Sequence, residues 1–212
     1  MISFLASSVL TLAAVVTSPS LPPVSDVLSG MAKQTTGLQA YEVPVTIHAS
    51  IRNGILAVPL SVTGERYFAA PDKEALKLND VPALAKVFSN LYASLGTPLT
   101  WPQTYDLQVV SPDHASASPI YELRGTYKHT SSVDHILLDV DAETYEPVQV
   151  RWFYRNGSTI AMNVQEKAVG AFRLPSVEDV DVHFPGYSGH ATIEYGAYAV
   201  NGTLPASAFG SQ

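Results

Sequence analysis

The stretch closest to a nucleophile motif is Gly186-Tyr187-Ser188-Gly189-His190. A hydrolase elbow, G-x-S-x-G, seats its serine on a sharp strand-to-helix turn so that Oγ meets a histidine. Here the second glycine follows the serine directly, and the residues downstream alternate as a strand, so the segment is expected to be a turn between strands. Asp181 and His183 lie close by in sequence, but no spacing rule brings them to Ser188. A secreted hydrolase using Ser188 is the least supported of the readings below, and no catalytic residue is assigned.

Metal chemistry fares no better. The histidines at 48, 114, 129, 135, 183 and 190 form no H-E-x-x-H pattern. His135 and Asp139 share one strand face, which is two ligands without a third. Asp139-Val140-Asp141-Ala142-Glu143 begins like a calcium loop, yet Thr144 stands where glycine is required and Val150 occupies the twelfth position. That segment is expected to be a hairpin turn, and neither a metal nor a cofactor is expected. Trp101 and Trp152 fall on different elements and are assigned to packing.

Composition narrows the partners. Cysteine is absent, which removes disulfides, thiolate sites and a lipid-modified N-terminal cysteine. The 12 Lys and Arg residues are scattered against 19 Asp and Glu, for a net charge of −7. Without a basic track the chain is not expected to bind nucleic acid. With 46% hydrophobic and only 15% charged residues, the chain carries more apolar surface than its charge suggests, enough for a core and a greasy ligand.

The elements that would position any site follow from hydrophobic period. Ile2 to Val16 is an almost uncharged run followed by a Ser/Pro-rich stretch, the texture of a secretory leader and too short to span a bilayer. Residues 1–20 are expected to be a signal peptide and 21–212 a single domain of an exported, periplasmic or extracytoplasmic protein. Val27, Leu28 and Met31 sit at helical spacing behind Ser25, a candidate N-cap. From Tyr41 the period becomes two. Asn53-Gly54 and Asn156-Gly157 are expected hairpin turns, with a third Asn-Gly at Asn201-Gly202 before the tail. Asp80-Val81-Pro82 opens a second predicted helix with the stripe Leu84, Val87, Phe88, Leu91, Tyr92 and Leu95.

Eight to ten strands joined by short turns, with helices only early in the chain, predict an antiparallel meander. One face of so long a sheet is apolar, so it must curl around something.

Several blocks resemble the outer-membrane lipoprotein carriers of the LolA type. These are Tyr121-Glu-Leu-Arg-Gly-Thr-Tyr, Ile136-Leu-Leu-Asp-Val-Asp-Ala-Glu-Thr-Tyr-Glu-Pro-Val, Asn156-Gly157, and Ala191-Thr-Ile-Glu-Tyr-Gly-Ala-Tyr-Ala-Val-Asn with Leu204-Pro205 and Phe209. Tyr67-Phe-Ala-Ala-Pro-Asp-Lys-Glu-Ala-Leu-Lys-Leu also suits that family. The resemblance implies a mainly antiparallel β fold with two or three helices, an incomplete, half-open barrel under a helical lid. It implies a monomeric carrier that shelters acyl chains of a lipid or acylated lipoprotein without catalysis. A stress-sensor or regulatory domain with an envelope protein partner is the alternative. Each methylene removed from water contributes roughly 0.8 kcal/mol, so area and shape suffice for such a site.

On this reading Val45, Ile47, Val58, Leu60, Leu123, Ile136 and Leu138 line the concavity. So do Val148, Val150, Trp152, Ile160, Met162 and Ile193. Val27, Leu28 and Met31, with Leu84, Phe88 and Leu91, form the lid.

Overall fold

The computed structural model describes residues 21–54, 56–79, 98–112, 116 and 118–209. The expected leader, the second predicted helix with Leu84, Phe88 and Leu91, and His114 lie outside them. The first helix, α1 (Val24–Lys33), starts behind Pro23, not Ser25, whose hydroxyl turns instead to the carboxylate of Asp26. Proline is at home there because the first helical N–H groups have no internal partner. Asp26 in the first turn and Lys33 in the last complement the helix dipole.

The strands are β1 (Ala40–Asn53), β2 (Leu56–Ala69), β3 (Lys73–Leu78), β4 (Tyr105–Val110), β5 (Ile120–Tyr127) and β6 (Val133–Asp141). They continue as β7 (Pro147–Tyr154), β8 (Thr159–Val169), β9 (Phe172–Phe184), β10 (Tyr187–Tyr195) and β11 (Ala199–Val200). All pair antiparallel in the order β3-β2-β1-β10-β9-β8-β7-β6-β5-β4, with β11 beside β1. The pairing of β1 with β10 joins the two ends of the chain, and the sheet ends openly at β3 and β4. Ahead of β4, a 3-10 turn (Pro98–Thr100) runs into the single-turn helix α2 (Trp101–Thr104). No helix among the described residues is long and apolar enough to cross a membrane.

Turn chemistry sets the register. Asn53 pairs with Leu56 across the β1–β2 turn. Between β7 and β8, Gly157 adopts φ +81°, a region a side chain would disfavour, while the Asn156 carboxamide accepts from the Ser158 N–H. The aspartate-rich segment is a hairpin turn, as expected: the Asp141 carboxylate accepts from the N–H groups of Glu143 and Thr144. Asn201-Gly202 is not a hairpin. Asn201 itself takes φ +55° and its side chain accepts from Gln39 N–H and donates to the Gly37 carbonyl, tying the C-terminal segment to the start of β1.

The alternating residues sort into two apolar clusters. One joins Val27, Leu28 and Met31 of α1 to Leu123, Ile136, Leu138, Val140, Val150, Trp152 and Ile160 on the concave face of β5 to β8. The helix lies close because Gly30 presents no Cβ to the ring of Tyr145, where one would overlap it. The other cluster joins Leu38, Tyr41, Val43, Val45, Leu174, Ile193 and Tyr195 on β1, β9 and β10.

Candidate functional site: the concave face

Register places nearly every expected cavity residue on the concave face, but in different surroundings. Leu123, Ile136, Leu138, Val150, Trp152 and Ile160 are buried beneath α1, and Met162 packs beside them. Val45 and Ile193 are buried in the second cluster with Ile47 against them. Leu60 is half-buried, whereas Val58 and Val148 are 43% and 39% exposed. Of the expected lid, Val27, Leu28 and Met31 are buried against the sheet.

A cavity of about 260 Å³ lies where the two clusters meet. That is just below the range of roughly 300–1,000 Å³ usual for small-molecule sites. Its apolar wall includes Met31, Leu38, Tyr41, Phe68, Trp101 and Leu174, with Pro71, Pro98, Pro147 and Pro175 around it. Among those expected lining and lid residues that are described, Met31 alone borders it. Tyr41 and Phe68 stack with ring centroids 5.3 Å apart, opposite one another on β1 and β2. Trp101 comes from α2, in the proline-rich stretch whose period carried no signal.

Polar groups enter the concave face where alternation alone points to apolar ones. Arg66 lies opposite Val43, and its guanidinium reaches across β1. It donates to the Tyr195 hydroxyl at 2.6 Å and to Glu74 at 3.0 Å, and lies 3.5 Å from Glu178. Tyr195 in turn donates to Glu178 at 2.8 Å. Burial works against the guanidinium charge, but Tyr195, Tyr41, Glu74 and Glu178 around it hold its pKa well above the ordinary value. This ionic band spans β3, β2, β10 and β9. A signal for it was present, because the parity that turns Leu60 and Val62 inward also turns Arg66 inward, and Val180 and Val182 do the same for Glu178.

A second polar group borders the cavity itself. Glu166 follows an irregularity in the β8–β9 register between Gln165 and Glu166. Its Oε2 is buried without a hydrogen-bond partner. Burial, reinforced by the nearby Glu146 carboxylate and opposed by Arg173, pushes its pKa up to about 7. Arg173 is ion-paired with Glu146, with Nε 2.7 Å from Oε1, and its Nη2 donates to Oε2 at 2.9 Å. A signal for Glu166 was present as well, because it shares the parity of Ile160, Met162 and Val164, and the residue skipped at the irregularity, Ser176, is on β9.

The convex face carries the residues that first suggested catalysis. Pro185 and Gly186 form the tight turn between β9 and β10, and Ser188 then stands directly opposite His183. Asp181, however, bonds His190, with Oδ1 2.9 Å from Nδ1, so the acid and the Ser-facing imidazole occupy different rungs. His135 stacks on Phe153 and bonds Asp134, while Asp139 lies 3.5 Å from Arg151, which also holds Glu122. Among the described residues no three His, Asp or Glu side chains converge on a metal position.

No family model and no curated protein matches the chain. Solved structures do match its fold. A structure assigned as an outer membrane lipoprotein-sorting protein domain from Vibrio parahaemolyticus superposes with a TM-score of 0.58 at 10% identity, covering 89% of this chain and 97% of that one. A DUF1329 family protein from Desulfovibrio piger gives 0.57 at 12% identity, covering 88% and 97%. A LolA superfamily protein from Nitrosomonas europaea gives 0.54 at 11%, covering 89% and 97%. The chain has a LolA-like fold, an open antiparallel barrel, and the fold is what these likenesses carry.

Proposed function

We propose that this protein is an exported carrier that shelters the acyl portion of a lipid or lipoprotein in the cavity between α1 and the concave sheet. The observation that supports the reading is the cavity itself. An open sheet whose edges do not join leaves space lined by Met31, Leu38, Tyr41, Phe68, Trp101 and Leu174. Such a wall binds by excluded water and needs no specific polar contact. The structures with the same fold include one assigned to lipoprotein sorting, which accords with this function by analogy of fold.

Native mass spectrometry of the protein purified from its own envelope fraction tests the reading. A co-purifying acylated species is expected, lost on Thr35→Trp, which would fill the cavity from the turn after α1 while leaving the melting temperature near that of the parent. A bare mass that takes up no monomyristoylglycerol would overturn the carrier function and leave the regulatory reading, with its protein partner.

A further inference from the structure

The wall of the cavity is greasy, but its charged residues are unequally provided with partners. Among the described residues they are Glu74, Glu166 and Arg173. Arg173 is occupied by Glu146 on two sides. Glu74 is held by Arg66, which also serves Tyr195 and Glu178. Gln34, also in the wall, donates its side-chain amide to the Thr144 carbonyl. An acceptor of the wall, Oε2 of Glu166, is thus buried without a hydrogen-bond partner, while the cation of the wall, Arg173, is ion-paired with Glu146 although its Nε makes no hydrogen bond. A buried polar atom in that condition costs about 1–3 kcal/mol and is normally relieved by some partner.

Resting on the acyl-chain reading above, we propose that the cavity selects a ligand whose head donates hydrogen bonds and carries no negative charge, and that Glu166 is the acceptor for that head. Hydroxyl, amide N–H and ammonium heads meet the requirement. A free carboxylate or a phosphate does not, because it would bring a further negative charge beside Glu166 and Glu74 in a poorly hydrated space, where the one cation among the described wall residues, Arg173, is already ion-paired with Glu146. The apolar wall sets the chain, and the carboxyl sets the head. The raised pKa of Glu166 is in keeping with this arrangement, since the same burial that makes its charge costly makes a donor beside it favourable.

Three probes with one chain and different heads test the proposal: monomyristoylglycerol, tetradecylammonium and myristate, titrated separately below their micellar concentrations at about pH 8 with binding read by native mass spectrometry. The parent protein is expected to bind the first two at least about tenfold more tightly than myristate, the scale of one charge-assisted contact. Glu166→Gln, which keeps the shape of the side chain, is expected to lower tetradecylammonium affinity by about tenfold and to narrow the gap to myristate. Myristate binding as tightly as the other two, or a ranking unchanged in Glu166→Gln, would overturn the head selectivity while leaving the carrier function standing. Uptake of none of the three by the parent would overturn the carrier function itself, so the two failures are separable.

Discussion

Under α1 the concave face is filled by aliphatic and indole side chains, with Leu123, Leu138 and Val150 at 1% exposure or less. Toward β1, β2 and β3 the same face carries an arginine, two glutamates and a tyrosine, and it borders empty space. Both regions are built from alternating strands of one continuous sheet, and they differ in what covers them. The amphipathic helix caps the first and converts inward-facing positions into core. At the second, coverage by the described residues is incomplete, so inward-facing positions hold either self-satisfied polar groups or the wall of a cavity. An inward position is therefore a necessary condition for lining a site and not a sufficient one.

The comparison is broken most severely at Arg66. Arg66→Met strands Glu178 in a buried position and should cost about 3–5 kcal/mol in urea unfolding, with much of the loss recovered when Glu178→Leu is added. A cost below about 1 kcal/mol would mean that the band is solvated and contributes little to holding the strands together. In the filled region Leu138→Ala should cost about 2–5 kcal/mol, since the neighbours cannot collapse into the gap. Phe68→Leu, at the edge of existing space, should cost less than about 1.5 kcal/mol. Equal costs at the two positions would show that no void separates the regions.

Glu166 sharpens the contrast through pH. Its carboxyl titrates near 7 in the folded chain against a reference of 4.5, so the folded state holds the proton more tightly than the unfolded state. The stability contributed by the neutral acid is fully present below about pH 4.5 and is lost as pH rises through about 7, by up to about 3 kcal/mol. Glu166→Gln should therefore match the parent in thermal melts near pH 4.5 and exceed it near pH 8. The smallest effect is expected at Val58. Val58→Thr should change stability by less than about 0.5 kcal/mol and leave lipid uptake unaltered, because the residue is 43% exposed near the β1–β2 turn. A loss of uptake there would extend the site along the full length of that hairpin.

Much of the fold was legible because period-two alternation and turn chemistry are local. Val45 and Ile47 on β1, Ile136 and Leu138 on β6, and Trp152 on β7 face inward as their spacing implies, and the turn at Asn156-Gly157 closes the hairpin it was expected to close. The described residues form eleven strands, more than expected, the last of them, β11, being two residues long and resuming beside β1 after β10 ends. Asn201-Gly202, unlike the other two Asn-Gly pairs, closes no hairpin, because the asparagine finds partners at Gly37 and Gln39, far away in sequence.

The candidate site was legible only in part. Parity could have turned Arg66 and Glu178 inward, but it could not show that they meet, since that depends on β1 lying between β2 and β10. Trp101 and Pro98 belong to a stretch with no period, and parity alone could not show that Glu166 borders a cavity with one carboxylate oxygen unpartnered.

The strands, their faces, the first helix and the antiparallel class follow from side-chain spacing and backbone preference within a few residues. Which inward faces α1 seals, which charges find one another and where space is left over follow from how the elements assemble. Those outcomes depend on contacts between residues more than a hundred positions apart, as between Arg66 and Tyr195, and no local pattern encodes them.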